Sequence, residues 1–343
     1  MSSPTLRTAI IGCGPFNETR GGCNSVSYAH AIALRRTPGV QLVAAASRSR
    51  KNVDDFCTEF PGTQAYTDYR QMLAAERPDW VSICAFPPDR EAMCLAAIEA
   101  GAKILLVEKP FAVTTEMMTK ITAAASAAGV RVFVNHQRRY GKWFEWFRSA
   151  LHAKTCGAPR TVELYHGGAG FINFGPHLID AALFALEPRR PVSVFAAVDW
   201  TDAGDYQGVR TERSILADIR FDDGLVLNLR SGPGVGEGQP CLRAVCENGL
   251  VELYFGPIGA SKSLGRIVTP DGNVAIPDFG TEHFHHNDTE PNIFYNRAVA
   301  DMVACVQSGL PCRLDAHHAV AGTSILLGAY ASAKASRPET LYI

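Results

Sequence analysis

The first 135 residues alternate between two hydrophobic patterns. Unbroken apolar runs of strand length occur at 7–12 (RTAIIG), 40–47 (VQLVAAAS), 80–86 (WVSICAF), 103–109 (KILLVEK) and 130–135 (VRVFVN). Strands that are apolar on both sides of the pleat belong to sheets covered on both faces, which are typically parallel. The intervening segments 26–37, 50–59, 68–76, 89–100 and 114–128 have helical spacing, and Asp68 and Thr114 stand where N-caps would. Pro110, directly after an apolar run, stops the ladder there. The regular alternation predicts a doubly wound parallel α/β sheet over 1–135.

Beyond 135 the pattern changes. A helical segment, RYGKWFEWFRSALHA, leads to the strand-like PRTVELYHGG and a helix near GPHLIDAALFAL. Strands then follow without helices between them, at 191–200, 212–220, 224–231, 241–247 and 249–255. DDG at 222–224 and ENG at 247–249 are hairpin turns. Two helices, about 291–308 and 316–334, end the chain. This predicts a second, α+β domain over 136–343 with a mostly antiparallel sheet. The glycine-rich SGPGVGEGQP at 231–240 is a loop between strands.

Composition narrows the function classes. The 343 residues are 47% hydrophobic and 20% charged, with a formal net charge of -1. No overall charge draws the chain to nucleic acid or an anionic membrane, and neither is expected as a partner. The apolar runs are too short for a transmembrane helix, and the start lacks the basic and apolar regions of a secretory signal. The ten cysteines are scattered without a C-x-x-C pair and suit a reducing compartment, so a cytoplasmic location is expected.

The candidate chemistry begins at Gly12-Cys13-Gly14, where the first strand ends. Gly12 permits a sharp turn, and Gly14 lets the backbone approach a pyrophosphate. Strand two ends in Ala46-Ser47-Arg48-Ser49-Arg50-Lys51, with no acid to bind a ribose 2′-hydroxyl. Ser47 and Arg48 suit a 2′-phosphate instead, which favours NADP(H) over NAD(H). Lys109, at the end of strand four, can hydrogen-bond the oxygen of a reacting alcohol or ketone and favour its developing charge. Asn173, Gly175, His177 and Asp180 gather at a loop-to-helix junction. His177, in the first turn, can exchange a hydroxyl proton, and Asp180 three residues on can orient its ring. Glu282, His283, His285 and His286 match no standard zinc spacing, and no metal is expected.

Taken together, the strand-GxG, AAASRS, PPDREAMCLAAIEAGAKILLVEKPF and NFGPHLIDAALFAL segments resemble the Gfo/Idh/MocA oxidoreductases over the whole chain. The resemblance is most specific at Glu108-Lys109-Pro110 and at Gly175-x-His177-x-x-Asp180. It implies a Rossmann domain followed by a domain with a large open sheet that carries the substrate pocket. It also implies a homodimer or homotetramer built through that sheet. The implied activity is NAD(P)-dependent oxidation or reduction at a carbinol or ketone carbon of a sugar, cyclitol or related polyol. Redox-neutral NAD-dependent glycoside cleavage and a non-catalytic cofactor-sensing role are the alternatives.

Carried onto this chain, Lys109 is the catalytic lysine and His177 the proton-transfer residue. Glu108 lies near the nicotinamide ribose, Phe86 and Pro87 line the cofactor, and Asn135 stands beside the nicotinamide. Arg139 and Tyr140 border the cleft. Three positions depart from the family pattern. Asn173 replaces an aspartate four residues before the histidine, where it can hydrogen-bond but carries no charge. Arg90 replaces a histidine, and reads as a surface ion pair or a contact for an anionic substrate group. About ten residues are inserted after Gly14, so His30 follows that glycine by 16 positions rather than about six. Asn24, Ser25 or Ser27 is the expected N-cap of the displaced helix. The insertion, Pro15 to Cys23, is then expected at the mouth of the cofactor crevice, as a surface loop or with Asn17, Thr19 and Arg20 over cofactor or substrate.

Overall fold

The computed structural model describes residues 5–15, 26–168, 170–235, 240–254, 264–277, 279 and 293–341. The first unit opens with β1 (Leu6–Ile11), α1 (Val26–Arg36), β2 (Val40–Ala46), α2 (Arg50–Glu59), β3 (Gln64–Tyr66) and α3 (Tyr69–Glu76). It continues with β4 (Trp80–Ile83), α4 (Arg90–Glu99), β5 (Ile104–Val107), α5 (Thr115–Ala128) and β6 (Arg131–Val134). The strands pair in parallel in the order β3-β2-β1-β4-β5-β6, so the order reverses between β1 and β4. That reversal is the switch point at which such sheets bind ligands, beyond the carboxyl ends of their strands.

Apolar runs became strands here because both faces are covered. Ala9, Ile10, Trp80, Val81, Leu105 and Val107 are fully buried. Asp68 caps α3 by accepting the Arg70 N–H, and Thr114 caps α5 by accepting the Met117 N–H. The short β3, Gln-Ala-Tyr, was not expected, because three partly exposed residues carry no apolar run. Ser27 is a buried residue inside α1, not its cap. Asn24, Ser25 and almost all of the insertion, from residue 16 on, lie outside the described residues.

The second unit contains α6 (Lys142–His152), β7 (Pro159–His166), α7 (Phe171–Leu186), β8 (Pro191–Asp199), β9 (Gly204–Tyr206) and β10 (Val209–Thr211). Then come β11 (Ser214–Phe221), β12 (Val226–Ser231), β13 (Leu242–Cys246), β14 (Gly249–Leu253), β15 (Gly265–Val268) and β16 (Val274–Ala275). The chain ends with α8 (Ile293–Ser308), α9 (Ala316–Ala335) and β17 (Glu339–Thr340). Nine strands form one sheet in the order β16-β15-β14-β13-β7-β12-β11-β8-β17, and β9 pairs with β10 as a separate hairpin. Among the described residues, β7 and β12 run parallel and the other pairs of the large sheet antiparallel. Its strands alternate: Ile215, Ala217 and Ile219 are buried on β11 while Leu216, Asp218 and Arg220 are exposed. Against this sheet α6 packs on β14 and α7 on β7.

By its contacts the chain divides into Met1–Gln137 with His285–Ala316, and Arg138–Phe284 with His317–Ile343. The segment carrying α8 thus belongs to the first unit, where a single boundary after residue 135 would give it to the second. Its place follows from contacts: α8 packs on α1, and the Arg131 guanidinium bonds the Asp315 carboxylate at 3.0 and 3.1 Å.

Candidate active site

At the first unit's switch point, β1 gives way to Gly12 with φ +101°. A Cβ there would stand 2.6 Å from Ala85 N, so only glycine lets this turn lie against the start of the β4 loop. The turn is also tied to β2: Gly12 N–H donates to Ala46 O at 2.9 Å, and Ser47 Oγ donates to Cys13 O at 2.9 Å. Ser47 therefore spends its proton on the glycine turn and keeps only acceptor capacity. Arg48 projects into solvent, its side chain 82% exposed and 3.5 Å from Asp89. Arg50 and Lys51 pair with Asp54 and Asp55 along α2. Phe86 is 51% exposed just past β4, and Pro87 beside it is buried.

At β5 the chain turns through Glu108-Lys109-Pro110, with a cis bond before Pro110. Glu108 is 3% exposed, His30 0% and Asn135 1%. Glu108 Oε1 lies 2.9 Å from His30 Nε2 and 2.5 Å from Asn135 Nδ2. Oε1 thus accepts from both, while Oε2 accepts the Lys109 N–H at 3.2 Å. Burial alone would raise the Glu108 pKa, but His30, Lys109 and Asn135 outweigh it and bring it to about 2. The carboxylate is therefore charged, fixed, and immediately before the half-buried Lys109.

Arg90 corrects the expectation of a surface ion pair. It is 2% exposed, and its guanidinium donates to three backbone carbonyls, Ala85 O at 2.9 Å, Glu108 O at 2.6 Å and Pro110 O. It ties the β4 loop to the Glu108-Lys109-Pro110 turn from beneath.

In the second unit, α7 begins at Phe171, earlier than the sequence suggests, so His177 falls in its second turn. Glu212, 1% exposed, makes this start possible. Its Oε1 accepts the Phe171 N–H at 2.5 Å, its backbone carbonyl accepts from Gly170, and its Oε2 accepts from Tyr330. A carboxylate at a helix N-terminus also meets the positive end of the helix dipole. Gly170 makes the turn with φ +74°. Pro176 sits inside the helix and has no N–H for Ile172 O.

Asn173 is exposed and His177 is buried on this helix. Phe174 between them stacks on His166 at 5.0 Å and 19°, meets the His177 ring edge-on at 6.2 Å, and lies 4.5 Å beneath Arg138. Ser231 Oγ donates to Gly168 O at 3.2 Å and so accepts from His166 Nδ1 at 2.9 Å. Burial and then the Arg138 charge lower the His166 pKa, against the contact with Gly168. Asp180 receives Arg139 Nε at 3.0 and 2.9 Å and Nη2 at 2.8 Å. Arg139 also binds Glu187 at 3.0 Å. Expected at a cleft border, Arg139 is 2% exposed, and its paired Asp180 and Glu187 carboxylates are what let its charge be buried. Tyr140 is buried as well.

Sequence reasoning passed over His166, Arg138 and Glu212, which carry no motif signal, and marked His30 only by its displaced place in the helix pattern. The cluster at 282–288 lies outside the described residues.

The first unit can receive a dinucleotide on three observations: the glycine turn pressed on backbone, the exposed Phe86 beside it, and the solvent-exposed Arg48 past β2. The whole is a doubly wound nucleotide-binding sheet joined in sequence to an open, mostly antiparallel sheet. Residues 6–136 match the model of an oxidoreductase family with an NAD-binding Rossmann fold, Gfo/Idh/MocA. The likeness to that family thus covers the first unit's parallel sheet, β1 to β6.

Among curated relatives, D-glucoside 3-dehydrogenase of Escherichia coli is 25% identical over 62% of this chain and 61% of its own length. Inositol 2-dehydrogenase/D-chiro-inositol 3-dehydrogenase of Halalkalibacterium halodurans is 32% identical over 47% of this chain and 44% of its own. The matched stretches thus span less than two thirds of these relatives. An oxidoreductase from Agrobacterium radiobacter, solved with NAD+, L-tartaric acid and magnesium, superposes with a TM-score of 0.78 at 16% identity over 98% of both chains. Myo-inositol 2-dehydrogenase from Lactobacillus plantarum does so at 0.74 and 19%, over 99% of this chain and 100% of that one. These likenesses establish the fold. Among the described residues, no helix is long and apolar enough to cross a membrane.

Proposed function

We propose that the chain is an NAD(P)-dependent oxidoreductase acting on the carbinol or ketone carbon of a sugar, cyclitol or related polyol. The observation that carries this is the fixed turn at Lys109, whose preceding carboxylate is locked by His30 and Asn135. A cation set on the carboxyl edge of a doubly wound sheet stands on the side where such sheets bind their ligands. The glucoside and inositol dehydrogenases among the relatives support the substrate class.

Gly12 and Gly14 would cradle the pyrophosphate, with Phe86, Pro87, Glu108 and Asn135 along the rest of the cofactor. The nicotinamide, when bound, accepts or supplies the hydride. Lys109 donates a hydrogen bond to the reacting oxygen and stabilises the charge that grows there. His177 takes or returns the hydroxyl proton. The exposed amide of Asn173 contacts substrate hydroxyls, and Asp180 with Arg139 holds the helix that carries His177. Arg48 pairs with a 2′-phosphate, which favours NADP(H) over NAD(H). The open sheet face serves a homodimer or homotetramer, and the cytoplasm is the working compartment.

The test is a panel of sugars, cyclitols and their keto forms with each cofactor, followed by the absorbance of reduced nicotinamide. Turnover of one such class is expected. No turnover of any member with either cofactor overturns the reading.

A further inference from the structure

Three ligating side chains converge beside the edge strand of the first unit's sheet, apart from the residues of the candidate active site. Asp301 and Cys305 lie one turn apart on α8, and Cys312 follows in the loop toward α9. One ligating atom from each lies within 4.8 Å of the others. Cys305 Sγ is 3.7 Å from Asp301 Oδ1, and Cys312 Sγ is 3.5 Å from Asp301 Oδ2. Cys305 Sγ is also 3.3 Å from the Pro311 carbonyl oxygen. Both thiols are buried, at 8% and 3% exposure. A tetrahedral zinc ion, with Zn–S of about 2.3 Å and Zn–O of about 2.0 Å, sets sulfur and oxygen ligands about 3.5 Å apart.

The backbone around these groups is held before any ion arrives. Arg131 on β6 donates to Cys305 O at 3.0 Å and Leu310 O at 2.6 Å, and pairs with Asp315. Asp315 in turn accepts the Cys312 N–H at 2.7 Å. One guanidinium thus fixes both segments that present the thiols. That guanidinium pairs with Asp315, while the Asp301 carboxylate and the two thiols face one another.

We propose that Asp301, Cys305 and Cys312, with the Pro311 carbonyl as fourth donor, bind a thiophilic divalent cation of the zinc class. Binding displaces one proton from each thiol, and the two protons leave to solvent. The ion would fasten the 310–315 loop where it lies along β6, through the Val134 N–H to Leu314 O bond of 3.0 Å and the Phe133–Asp315 bridge. That strand ends beside Asn135. The sequence alone hides the site, because two cysteines seven positions apart with an aspartate one turn earlier match no standard zinc spacing.

The test uses the full chain, stripped with chelator under reducing conditions and titrated with Co²⁺ alone. Expected are thiolate-to-cobalt charge-transfer absorption and about one equivalent retained after desalting. Cys312→Ser and Cys305→Ser should abolish that absorption, and Asp301→Asn should weaken binding by at least about tenfold. A second measurement guards against variants that fail to fold: Zn²⁺ should protect two thiols of the unaltered chain from a thiol reagent. Absence of both charge-transfer absorption and protection overturns the proposal. So does a Cys305–Cys312 disulfide in protein purified without added oxidant.

Discussion

His30 Nε2 stands 2.9 Å from Glu108 Oε1, with both side chains removed from solvent. The pair joins the first helix to the turn that presents Lys109, across 78 positions of sequence. Without His30 the buried carboxylate keeps only Asn135 and Lys109 to compensate its charge. His30→Ala should therefore cost about 3–5 kcal/mol in urea unfolding. Adding Glu108→Gln should return much of that loss, since the amide carries no charge to strand. A single variant with unchanged stability would show the pair to be inert.

Lys109 is expected to act on the reacting oxygen and little on cofactor binding. Lys109→Ala should lower kcat by roughly a hundredfold to a thousandfold, as removal of one preorganised donor does. Cofactor affinity, read by nicotinamide fluorescence, should stay nearly constant. Ordinary turnover in this variant would remove the residue from the chemistry.

Cofactor choice is expected to rest on Arg48 more than on Ser47, whose proton is already given to Cys13 O. Arg48→Ala should weaken NADPH by roughly tenfold to a hundredfold, the range of a charge-assisted hydrogen bond. NADH should change far less. Equal losses for both cofactors would count against a 2′-phosphate contact.

Glu187 gives the second unit an acid sensitivity. Burial would raise its pKa, but His318, Arg139 and Arg148 together lower it from 4.5 to about 2. The folded chain thus holds this carboxylate more acidic than the unfolded chain does. Its stabilisation is complete above about 4.5 and is lost as the pH falls through about 2. Urea midpoints of the unaltered chain and of Glu187→Gln should differ near neutrality and converge in acid. Parallel curves across that window would assign the difference to packing.

The elements with strong periodicity were legible because one physical cause acted on each. Residues 50–59 and 114–128 were expected as helices, and α2 and α5 run Arg50–Glu59 and Thr115–Ala128. The glycine turn and the lysine turn were visible for a similar reason, since each is local. What failed was whatever needed the topology. Arg90 looked like a surface charge because its acceptors are carbonyls up to 20 positions away. The start of α7 was hidden because its cap comes from Glu212, 41 positions on. His30 and Asn135, 105 positions apart, meet only because α1 and β6 come together at the sheet's carboxyl edge.

The Arg131–Asp315 bond spans 184 positions, and it sets an order of folding. A ribosome that has released Met1–Gln137 has released every strand of the parallel sheet, yet the last strand still lacks its covering. The carbonyls of Cys305 and Leu310 and the carboxylate of Asp315 have not yet been made. Closing a loop of that length costs on the order of 4–5 kcal/mol in chain entropy. The Phe133 strand edge can therefore be completed only after Asp315 has emerged, late in synthesis. An expression fragment cut at residue 137 would inherit that same unfinished edge permanently.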